Sequence, residues 1–161
     1  MMTLKKVISG GQTGVDRAGL DAAMESGIPA GGYCPKNRKA EDGAIPERYP
    51  LKELDTDEYF VRTEKNVVES DGTLIINKGV LSNGTLLTYD YTVRHLIPCL
   101  IVQLDADEMT DPSHVVRWLQ GQDVSILNVA GPRESKFPEG IYSDALKYLE
   151  NVFRLLKESV E

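Results

Sequence analysis

The chain of 161 residues has no apolar run near the roughly 18 residues that a membrane-spanning helix requires. Its opening, Met-Met-Thr-Leu-Lys-Lys-Val-Ile-Ser, lacks the long apolar centre of a secretory leader, so a cytoplasmic protein is expected. Cysteine is scarce: Cys34 and Cys99 stand far apart and form no C-x-x-C pair, which argues against a disulfide scaffold or a zinc ribbon. The two histidines, His95 and His114, share no H-x-x-H spacing, and no direct protein–metal site is expected. Positive charge is also short. With 18 Lys and Arg against 25 Asp and Glu, the net charge is −7, and nucleic acid, which needs a basic face, is not the expected partner.

Two familiar glycine-rich signatures are missing as well. Gly10-Gly11-Gln12-Thr13-Gly14 fits neither G-x-G-x-x-G nor the P-loop pattern and has no P-loop lysine, which speaks against a Walker-type triphosphate site. A dinucleotide site would want an acid at the end of the second strand. The chain supplies Tyr33-Cys34-Pro35-Lys36 there, so hydride transfer is set aside.

What the sequence does contain is an ordinary globular composition, 41% hydrophobic and 27% charged, which predicts one domain over residues 1–161. Apolar runs predict strands at Leu4–Ser9, Ile28–Tyr33, Gly72–Asn77, Pro98–Leu104 and Val124–Ala130. Helical spacing predicts helices from Val15 to Ser26, Tyr59 to Ser70 and Thr85 to Leu96, one opening at Pro112, and one from Ile141 to Leu156. Apolar strands alternating with helices predict an α/β, Rossmann-like three-layer sandwich around a five-stranded parallel sheet. The segment Cys34–Glu58 is the one long irregular stretch, and loops of that length are usually functional or mobile.

In such sheets ligands bind beyond the carboxyl ends of the strands. Here those ends read Ser9-Gly10-Gly11, Cys34-Pro35-Lys36, Asn77-Lys78-Gly79, Leu104-Asp105 and Asn128-Val129-Ala130-Gly131. Bare backbone amides at a helix N-terminus, with glycines allowing close approach, suit an anion. Leu81-Ser82-Asn83-Gly84-Thr85 offers either a helix cap or a phosphate cradle, and Arg133, after Gly131, offers a phosphate fork or a solvated loop charge. Asp16 serves a ligand or complements the helix dipole. Lys36, Arg38, Lys39, Arg62, Lys65, Lys78, Arg133 and Lys136 gather in or beside the predicted rim loops, a basic mouth on an acidic body that suits a small anionic ligand.

Five blocks, "SGGQTGVDRAGLDAA", "GYCPKNRKAEDGAIPERYP", "RTEKNVVESDGTLIINKG", "SNGTLLT" and "NVAGPRES", together resemble the molybdenum carrier proteins, placed in a circularly permuted branch of the SLOG nucleotide-binding superfamily. The resemblance runs from Val7 to about Leu156. It implies the sheet order 2-1-5-3-4, where pattern alone would give 2-1-3-4-5. It also implies ligand contacts at Gly10, Gly11, Gln12, Thr13, Gly14, Asp16, Arg62, Asn66, Ser82, Gly84, Thr85, Gly131, Arg133, Glu134 and Ser135. Lys36 and Asn77 join the candidates from their strand-end positions. The cofactor implied is the molybdenum cofactor, whose dithiolene sulfurs hold the metal without protein ligands.

The leading expectation is therefore a small-molecule carrier for a phosphate-bearing heterocycle. Nucleotide-processing activity stays open as an alternative, with Asp16 or Glu134 as acid–base candidates. The stretch Leu81–Thr88 lacks the glutamate of the related phosphoribohydrolases, which leans against an enzyme. A nucleotide sensor is a variant of the first reading, and single-stranded DNA binding is disfavoured by the charge. A homo-oligomer is expected, with Tyr148, Phe153 and Leu155 of the last helix serving either its interface or the core.

Overall fold

The computed structural model describes residues 4–160. Residues 1–3, part of the opening read for a leader, and residue 161, part of the expected domain span, lie outside the described residues. Five strands form the main sheet: β1 (Lys6–Ile8), β2 (Ala30–Gly31), β3 (Gly72–Asn77), β4 (Cys99–Gln103) and β5 (Ile126–Ala130). All pairings are parallel, in the order β2-β1-β5-β3-β4. The last strand thus sits between β1 and β3, with Val7 opposite Leu127 and Leu127 opposite Gly72.

Five helices connect and cover the strands: α1 (Val15–Glu25), α2 (Tyr59–Val68), α3 (Asn83–Arg94), α4 (Pro112–Gly121) and α5 (Tyr142–Glu158). The period-two alternation of the strands sorts them. Val7, Leu74, Ile76, Val102, Leu127 and Val129 point into the main apolar core with Ala18, Val115, Leu149 and Phe153 of α1, α4 and α5. The opposite face, toward the packed pair α2 and α3, is less apolar than expected. It carries Ile75 but also buried Thr73 and Asn128, whose amide donates to the Thr73 hydroxyl at 3.3 Å. Glu64 of α2 and His95 at the end of α3 meet at 2.7 Å, which gives that histidine a structural partner.

Two expectations change here. The strand predicted over Ile28–Tyr33 is broken at Gly32, whose φ of +126° turns the chain where any Cβ would collide with the Ser9 carbonyl. Tyr33–Cys34 leaves the main sheet and pairs instead, in parallel, with Lys52–Glu53. The irregular stretch Cys34–Glu58 is an ordered lobe. Lys39–Ala40 and Gly43–Ala44 form a hairpin, and Cys34, Ala40, Ile45 and Tyr49 pack with Leu20 of α1 as a second apolar cluster. Arg38 organises the lobe, spreading its guanidinium over the carbonyls of Ile45, Pro46, Tyr49 and Leu51. A buried carboxylate clamps it down: Asp21 of α1 takes Arg48 at 2.8 Å and the hydroxyls of Tyr49 and Tyr142. Burial and that carboxylate push the Tyr49 phenol up to about 12.

The last helix spends its aromatic residues inward. Tyr148 and Phe153 are buried in the main core, so they are not available as an interface between copies. The exposed apolar side chains sit elsewhere, among them Leu86, Tyr89 and Val93 of α3 and Leu96 just beyond it. Among the described residues no helix is long and apolar enough to cross a membrane.

Candidate functional site

At the carboxyl ends of β1 and β5, on the α2/α3 side, lies a cleft of about 540 Å³, within the range of small-molecule sites. Gly10, Gln12 and Asp16 come to it from the β1–α1 turn, and Arg62 and Asn66 from α2. Ser82, Gly84 and Thr85 come from the start of α3, and Gly131 and Arg133 from the segment after β5. Those ten of the residues named from the sequence share one cavity. Gly131 is required there because a Cβ would run into the Ile76 carbonyl and Val15.

The cleft gathers more basic than acidic side chains. The N-terminus of α3 carries no side-chain cap and its Asn83, Gly84 and Thr85 line the cavity, whereas the first amide of α1, at Val15, donates to the Pro132 carbonyl at 3.2 Å. The Ser82 hydroxyl, at the N-cap position, accepts instead from the Lys136 ammonium at 2.6 Å. Lys39, Arg62, Arg133 and Lys136 supply four cations against Asp16, Asp57 and Glu58. Arg62 is buried and donates to the Gly10 carbonyl at 2.8 Å, close enough that no side chain fits at Gly10.

Asp16 is the buried anion among them. Burial is the main cause that raises its carboxyl from 3.8 to about 6, against the pull of Arg62 and of a hydrogen bond from the Gln12 amide at 3.2 Å. Asn66 faces the cavity but is already engaged: its amide exchanges hydrogen bonds with the Tyr33 backbone at 3.0 and 2.9 Å and also donates to the Arg62 carbonyl.

Seven named candidates do not line the cleft. Gly11 (φ +79°) abuts Ile45 and Leu51 of the lobe, and Gly14 (φ +81°) abuts the Pro132–Glu134 backbone, so both glycines serve close packing of segments. Asn77 sits at the far side of β3, tied to Gly79 and Gln103, with its side-chain oxygen buried and unpartnered. Lys36 is exposed on the lobe. The Glu134 carboxylate accepts from the amides of Ile141 and Tyr142, both at 2.7 Å, and so caps α5. Thr13 and Ser135 turn to Glu41 of the lobe hairpin.

The basic mouth is likewise narrower than the sequence predicts. Arg38 is spent on carbonyls, Lys65 pairs with Glu69 and Lys78 with Asp144. Lys39 and Lys136, expected only as members of the basic mouth, line the cleft, and so does Asn128, which was not among the expected ligand contacts. Asn128 is the one with a readable signal: a polar residue inside an otherwise apolar strand.

Among the described residues no three His, Cys, Asp or Glu side chains converge as a metal would require. Cys34 is fully buried in the lobe cluster, where burial pushes its thiol upward.

No curated protein matches the chain. A crystal structure from Syntrophus aciditrophicus SB, described as a "Putative molybdenum carrier protein", is 44% identical over 94% of this chain and 95% of its own, with a TM-score of 0.85. Residues 7–153 match the circularly permutated YpsA SLOG family, so this chain belongs to that family.

Proposed function

We propose that the protein is a small-molecule carrier whose cleft holds a phosphate-bearing heterocycle. The observation that carries this reading is the convergence of Gly10 and Gln12, Ser82–Thr85 and Gly131–Arg133 on one cavity with four cations and an uncapped helix N-terminus. A phosphate sits against the α3 amides, Lys136 and Arg133, and the heterocycle extends toward Asp16 and Tyr59. The finer proposal is that the ligand is the molybdenum cofactor, in keeping with the name of the Syntrophus relative. The donors lining the cleft are amines, amides and hydroxyls, together with the carboxyls of Asp16, Asp57 and Glu58. They fit the phosphate and ring of a pterin, and a bound molybdenum would keep the sulfur ligands of its own cofactor.

Titration of the purified protein with molybdopterin, followed calorimetrically, tests this. Stoichiometric uptake without turnover is expected, falling by about tenfold or more in Lys136→Met, which removes a charge-assisted contact. Equal uptake by wild type and a Lys136→Met/Arg133→Ala double variant overturns it.

A second reading rests on Asp16, a buried carboxyl in the cleft raised to about 6 and so able to exchange a proton near neutrality. On that reading the protein cleaves the base or phosphate from a nucleotide. Incubating a panel of nucleoside monophosphates at high protein concentration and separating the products decides it. Absence of product leaves the carrier reading alone.

A further inference from the structure

The carboxylate of Glu41, at the tip of the lobe hairpin, is gripped by donors from two different strand ends. The Thr13 hydroxyl, after β1, donates to it, and so does the Ser135 hydroxyl, after β5. The Ser135 amide donates at 3.2 Å, and the Arg133 guanidinium stands 3.2 Å away. The backbone is set for this: Gln12 accepts from the Glu41 amide at 2.9 Å with its side-chain oxygen. Burial works to raise the Glu41 carboxyl, but the bonds from Ser135 and Thr13 and the Arg133 charge hold it below its ordinary value. Two hydroxyls, an amide and a guanidinium aimed at one oxyanion form the kind of donor set that binds phosphate. Gln12 and Arg133 belong both to this seat and to the cleft beside it.

The hairpin does not need Glu41 to stay in place. Asp42, the next residue, takes a two-pronged bond from Arg17 at 2.6 and 2.8 Å, and Arg48 pairs with Asp21 at 2.8 Å. We propose that Thr13, Arg133 and Ser135 form a second anion seat, filled here by Glu41 as an internal stand-in that an anionic group of the ligand must displace. The proposal rests on reading the neighbouring cleft as an anion site. Glu41 then sets a threshold for loading: an anionic group reaches these donors only by turning Glu41 out, and it binds them more weakly while Glu41 keeps its charge.

Calorimetric titration with inorganic phosphate and with adenosine monophosphate, on wild type, Glu41→Gln and Asp42→Asn, tests the displacement. Removing the competing charge is expected to tighten at least one probe by about tenfold in Glu41→Gln, the scale of coupling between linked sites. Asp42→Asn removes an equal charge one residue away and is expected to change affinity by less than about twofold. Equal affinity in wild type and Glu41→Gln overturns the displacement while leaving the cleft reading intact. Failure of both proteins to bind either probe overturns the two together. A crystal of the wild type soaked in the probe gives a readout independent of any variant. Phosphate on Thr13 and Ser135 with Glu41 turned outward is expected, and a bound probe with Glu41 still on Ser135 overturns the proposal.

Discussion

Single residues decide what the cleft is made of. Gly11 was a ligand contact by family resemblance, yet its missing side chain is needed where Ile45 and Leu51 press on it. Gly11→Val is therefore expected to cost about 2–4 kcal/mol through overpacking and a left-handed backbone, read as a lower urea midpoint without ligand. Asp16 adds a pH dependence. The unfolded carboxyl ionises near 3.8 and the folded one at about 6. Below pH 3.8 both states are protonated and nothing is lost; as pH rises through 6 the fold gives up about 3 kcal/mol. Asp16→Asn is expected to raise the urea midpoint at pH 8 and leave it unchanged at pH 3.5. A ligand dianion elsewhere in the same cleft raises it further, so binding takes up a proton in wild type and less in Asp16→Asn, measurable by titration in buffers of different ionisation enthalpy. The small polar–glycine junctions made Gly10, Ser82 and Gly131 legible in the sequence. Lys39 and Lys136 were legible only as members of a basic mouth and Glu41 not at all, because a lysine or glutamate in a loop carries no local signal of what it will meet after folding.

At the level of elements, local chemistry was a good guide where an element is self-contained. The strand Gly72–Asn77 runs as expected, and Asp111-Pro112 opens α4 with the Asp111 carboxylate accepting from the Ser113 amide at 2.8 Å. Asp111→Ala is expected to cost about 1 kcal/mol, seen in thermal melts. Glu134 shows where that guide ends. Read as a candidate acid, it serves α5 from seven residues upstream, a distance that no capping pattern covers. Glu134→Gln is expected to lower stability by about 1–2 kcal/mol, from a lost charge-assisted cap, with no effect on ligand affinity in calorimetry. The lobe was unreadable for a related reason. Its strands are two residues each, and what orders them is Arg38 with four distant carbonyls and Asp21 on a separate helix.

For the whole molecule, Asp21 is the tie between lobe and sheet layer. Asp21→Asn leaves the exposed Arg48 without its partner and weakens both tyrosine contacts to a buried group, a loss on the order of 1–2 kcal/mol. Hydrogen exchange is expected to accelerate in residues 39–54 and stay unchanged in β3 and β4. The strand order has a different reach. β1 with β2 and β3 with β4 are the earlier pairs, and the strand that joins them is emitted by the ribosome only at residues 126–130. Until then a nascent chain holds two half-sheets with a raw inner edge each, the state most open to wrong pairing. The segment that closes the gap also delivers Gly131, Arg133 and Lys136, so the pocket is finished by the same stretch of translation that completes the sheet.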